Sequence, residues 1–196
     1  MKKFFVTLFA LTALALSSLS FGAAGTWVMH DAFKLRAYNG TGLNLTTDTL
    51  KVALAASTSN AATTSVNNYA SLTNELATAN GYTAGGATAT ATWTGTSTVT
   101  FAIGTVTWTA SGGSITARFG VLYDNTDVNK TVIAHVLLDS TPADVTVTTG
   151  NTLTITGATV MTLAMNDTDW IGIAFAQAQA ANDPFWMQRV ILQLSA

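Results

Sequence analysis

The chain has 196 residues, 48% of them hydrophobic and only 9% charged, with a formal net charge of −2. A typical soluble domain is about 25% charged, so the polar surface must be built from Thr, Ser, Asn and Gly, and the broad basic face of a nucleic-acid binder is excluded. Cysteine is absent, which excludes disulfides, a thiol nucleophile, a zinc–thiolate site and lipidation through a cysteine.

Residues 1–24 have the layout of a secretory signal. Lys2 and Lys3 form a positive start, residues 4–16 are an apolar run, and small residues follow. The run is too short to span a bilayer comfortably. Cleavage after Gly22 or after Ala24 satisfies the small-x-small rule. Loss of both lysines lowers Lys+Arg from 8 to 6 against 10 acids, a net charge of −4. The expected destination is secreted, extracellular or virion-associated.

Residues 27–38 (WVMHDAFKLRAY) place apolar side chains at 29, 32, 33 and 37, a helical spacing that predicts a short helix or arm. The Asn39-Gly40-Thr41-Gly42 run ends it. Residues 49–56 alternate as a strand. Residues 57–68 show no periodicity and read as a surface loop. A helical turn is expected around Leu72, Glu75 and Leu76, then a glycine-rich bend over residues 81–86 that requires positive φ.

Residues 88–139 carry the clearest signal. Trp93, Val99, Phe101 and Ile103, then Val106 and Trp108, recur mostly at every second position with Thr between them, as in strands with one wet face. Residues 115–123 and 131–138 are more continuously apolar, as expected of well-covered central strands. Turn residues stand at 112–113 and 124–127. The stretch predicts an antiparallel meander. Short strands follow at 145–147, 153–155 and 160–165. Residues 167–196 form an apolar extension that packs on the sandwich or on a neighbouring subunit.

About nine short strands with regular turns predict one all-β domain over residues 25–166, an antiparallel β-sandwich of jelly-roll or Ig-like type. No fixed-period repeat is present, which argues against a solenoid or propeller.

A family resemblance rests on NLTTDTLKVAL (44–54), NEL (74–76), GYTAGG (81–86), VTWT (106–109), ITARFGVLYD (115–124), LLD (137–139) and TLTIT (152–156). In this order, over residues 32–156, the chain resembles small structural proteins of tailed bacteriophages. The resemblance implies a virion component of tail or head-decoration type. The signal-like start and the segment 167–196 depart from that family's pattern.

Residue chemistry gives little support to catalysis. His30 and His135 are the only histidines; His135 lies mid-strand and reads as facing solvent or an interface. No G-x-S-x-G elbow is present. The acids, one Glu and nine Asp, sit mostly in turns rather than as a facing pair. Asp124, Asn125, Asp127 and Asn129, and Asp167 with Asp169, cluster oxygens that suit loop calcium, but without EF-hand spacing. Turn formation accounts for them, and no cofactor is expected. Trp93 and Trp108 read as packing.

The expected function is therefore non-enzymatic self-assembly, as an oligomer, lattice or filament or on a particle with other virion proteins. The assembly surface would include Trp27, Phe33, Trp170, Phe175, Phe185, Trp186, Met187 and Ile191. The alternative is a secreted carbohydrate-binding adhesin whose glycan site uses Tyr69 and Tyr82.

Overall fold

The computed structural model describes residues 24–39, 43–96, 98–141 and 143–164. The signal-like segment up to residue 23, the extension 167–196 and six of the assembly residues named above, from Trp170 to Ile191, lie outside the described residues. Those described form an all-β chain with one α-helix. Twelve strands occur rather than about nine: β1 (Val28–Met29), β2 (Leu50–Ala55), β3 (Ala87–Ala89), β4 (Ala91–Thr94), β5 (Thr98–Ile103), β6 (Val106–Thr109), β7 (Ile115–Ala117), β8 (Phe119–Asp124), β9 (Val132–Leu137), β10 (Val145–Val147), β11 (Thr152–Ile155) and β12 (Ala158–Ala164). The helix α1 spans Asp31–Asn39; residues Val28–Met29, expected within it, are strand.

The largest sheet has the order β1-β9-β8-β2-β3. Both faces of its central strands are covered. One face carries Leu50, Val52, Leu54, Leu122 and Val136 into the main core, with Phe101, Trp108, Ile115, Val147 and Leu153 from the other strands. The opposite face carries Ala53, Ala55, Phe119, Val121 and Tyr123, covered by Ala61 and Val66. This is why β8 is buried at every position: a strand covered on both sides loses its alternation. Residues 57–68 are thus not a plain surface loop. Their small apolar residues roof the second face.

Gly120 lets the layers close. A Cβ there would lie 2.9 Å from Ile155 Cδ1 and 3.2 Å from Val136 Cγ1. The bend expected at 81–86 is present, with positive φ at Gly81, Gly85 and Gly86.

The expected meander needs correction. β4 pairs with β5 and β8 with β9, but β6 pairs with β11 and β7 with β10, and β12 lies against β5. From β5 onward the pairings are nested, β8 with β9 innermost and β5 with β12 outermost. Period-two patterning fixes which face of a strand is buried, not which strand lies beside it.

Candidate functional site

The two histidines meet. His30 follows β1, and His135 lies on β9, opposite Val28. The Nε2 of His30 is 3.0 Å from Nδ1 of His135, and Nδ1 of His30 is 2.8 Å from the Val66 carbonyl. A carbonyl only accepts, so His30 Nδ1 carries a proton. In the neutral pair His30 Nε2 is then the acceptor and His135 Nδ1 the donor. His30 is fully buried and His135 is 6% exposed, which corrects the expectation that His135 faces solvent or an interface. Burial lowers the pKa of His30, aided by Lys34 and opposed by the Val66 carbonyl and Asp31. Burial and then the neighbouring His30 bring His135 down to about 4. The pair is neutral at pH 7 and fills space inside the fold. It does not line the shallow depression of about 890 Å³ bordered by Asp31, Lys34, Leu35, Arg36, Asn67 and Asn129.

A second polar cluster centres on Glu75. Tyr82 donates its hydroxyl to Glu75 Oε1 at 2.6 Å, the Gly85 amide donates to the same oxygen at 2.6 Å, and Tyr69 donates to Oε2. Tyr82 Oη also accepts from the Leu54 amide at 3.0 Å. Tyr123, stacked on Tyr69, donates to the Gly85 carbonyl at 2.7 Å. Burial, then Glu75, raises the pKa of Tyr69, Tyr82 and Tyr123, so the phenols stay protonated and act as donors. The cluster ties segment 69–86 to the central sheet. Tyr82 is 2% exposed and offers no face to a sugar. Sequence reasoning did not find this role for Glu75; the available signal was the chain's single glutamate standing between two tyrosines.

The acidic turn expected at residues 124–127 forms, and its residues diverge. Asp124 is fully buried; its Oδ1 accepts from the amides of Thr126 at 2.8 Å and Asp127 at 3.1 Å. Burial raises its pKa, with Asp48 adding to the rise. Asp127 accepts from Arg36 Nη1 at 2.6 Å, and that guanidinium, with Thr131, brings it down to about 2. Among the described residues, no group of three or more His, Asp or Glu side chains could hold a metal ion.

Of the expected assembly residues, Phe33 is 3% exposed within the chain's own core, and Trp27 is half-buried against that core. Trp108 is buried, and Trp93 is half-buried and stacked on Phe101; both pack as expected. The strand edges complete the picture. Charge occurs on the described strands only at Lys51 and Asp124, in the interior strands β2 and β8. Every edge strand among the described residues is uncharged. No family model, curated protein or solved structure matches the chain.

Proposed function

We propose that this chain is a non-enzymatic structural subunit that assembles with copies of itself, as a virion component or an extracellular lattice or filament. The observation that carries this reading is the absence of charge from every described edge strand. An edge presents unpaired amides and carbonyls, and soluble proteins commonly guard it with Lys or Pro. Here β4 and β12, the outer strands of the sheet β12-β5-β4, carry only Ala, Thr, Val, Trp, Met and Leu. Pairing with a neighbour would satisfy their backbone groups without burying a charge.

The nested pairings support a jelly-roll arrangement over an Ig-like one, since a long hairpin folded across itself gives that pattern. The inward-facing Tyr82 leaves the adhesin reading without a specific observation in its favour. Density-gradient sedimentation of the native source, with mass spectrometry of each fraction, tests the proposal. The chain is expected in particle or filament fractions. Recovery only as a slowly sedimenting soluble species would overturn it.

A further inference from the structure

Strand β1 is attached differently from the helix that follows it. It lies on the β9 edge through Val28 opposite His135 and Met29 opposite Ala134, flanked by bonds from the Gly25 amide to the Leu137 carbonyl and from the His30 amide to the Ile133 carbonyl, both 2.9 Å. Its side chains commit little. Val28 is 40% exposed, and Trp27 and Met29 are only partly buried. Helix α1 is anchored independently, by buried Phe33 and by Arg36 on Asp127. The fully buried group that fixes the junction between strand and helix is His30, held to His135.

We propose that residues 24–30 form an exchangeable edge strand, latched by the contact between His30 and His135, and that the β9 edge it vacates accepts the same segment of a second copy. The inference rests on the self-assembly reading. The partner follows from the register: the segment that already fits this edge is β1, so an identical chain presents the same hydrogen-bonding pattern and the same side chains.

The latch opens with acid because it has no place for added charge. The neutral pair holds one proton toward Val66 and one between the rings. A third proton charges a buried site, and a fourth sets two N–H groups against each other. Nothing nearby compensates fully. Asp31 is engaged by Thr64 at 3.0 Å and by Lys34 at 3.3 Å, and Lys34 opposes a positive charge. Residues 57–68, which cover the pair, contain no charged side chain. From β8, Phe119 presents its ring 6.2 Å from His135. The Val66 carbonyl, the Asp31 carboxylate and the Ala61 carbonyl favour the cation, and burial outweighs them. Once free of the latch, His135 regains its ordinary value of 6.5 from about 4, so acid favours release by about tenfold per pH unit over that interval. Asp127 stays ionised down to about 2, which keeps α1 docked while β1 leaves.

The chain has no native cysteine, so a pair introduced at Met29→Cys and Ala134→Cys, directly opposite each other, reports which copy supplies the strand. Two isotopically distinct batches of the full chain are mixed reduced, held at pH 4.5 or pH 7.5, returned to pH 7.5 and oxidised. Disulfides joining the batches are expected to rise at least tenfold after the acid step. Intrachain disulfides alone at both pH values would overturn the exchange. Hydrogen exchange on the unsubstituted chain guards against a folding defect: the Gly25 and His30 amides should lose protection below pH 6.5 before those of β8, and simultaneous loss would also overturn it. Sedimentation run alongside separates the two readings, because assembly without cross-batch disulfides removes strand exchange and leaves the subunit reading standing.

Discussion

The central strands and the peripheral strand pairs solve the same burial problem in opposite ways. β8 is buried at all six positions because apolar material covers both of its faces. β6 and β11, paired with each other, alternate buried and exposed residues, and Thr107 faces Thr154 across the wet side with hydroxyls 3.3 Å apart. In the centre, stability comes from packing that tolerates no vacancy. In β6 and β11, half of each strand is Thr placed for solvent or for a neighbour. The difference leaves the centre to hold the fold and, on the self-assembly proposal, the periphery free to make contacts.

Truncation should separate them most strongly. Leu122→Ala, at a fully buried site, is expected to cost about 2–5 kcal/mol. Thr154→Ala, exposed on β11, is expected to stay within about 0.5 kcal/mol. Urea unfolding of both variants checks the contrast, and similar losses would erase it.

Acid should weaken the central side next. Both histidines have folded pKa values below the ordinary 6.5, so their stabilising effect is complete above pH 6.5 and is lost as pH falls. For His135 the loss runs from pH 6.5 to about 4, at about 1.4 kcal/mol per unit, and His30 adds to it with the same sign. Urea midpoints at pH 7, 5.5 and 4.5 should fall accordingly, and His135→Gln should flatten the profile.

Tyr82→Phe should be smaller, about 1–3 kcal/mol, because the Leu54 amide and a Glu75 oxygen each lose a partner. Thermal unfolding measures it. The smallest effect on folding is expected at the edges. Thr94→Lys and Thr162→Lys, at exposed positions on β4 and β12, should shift stability by less than about 0.5 kcal/mol while reducing self-association.

The same contrast explains what the sequence disclosed. β8 and β9 were legible because their apolar runs are nearly continuous, β2 because its large apolar residues alternate, and β5 and β6 because theirs alternate with Thr. The partners of β6 and β7 were not, since Thr-rich strands offer nearly equal faces to many neighbours. The roof formed by residues 57–68 was hidden because Ala61 and Val66 contribute too little apolar bulk to register as a pattern. The helical turn expected near Leu72 is a single 3-10 turn at Tyr69–Ser71, because Glu75 is drawn into a bridge opposite Ala55 on β2. The pairing of His30 with His135 spans 105 residues, beyond the reach of any local spacing argument.

The central claim is that uncharged strand edges carry assembly. Sedimentation velocity of the chain over a wide concentration range, beside its Thr94→Lys/Thr162→Lys variant, tests it most directly. The account predicts larger species whose fraction grows with concentration in the unsubstituted chain and falls in the variant. A monomer at every concentration, or assembly undiminished by the two lysines, would contradict it.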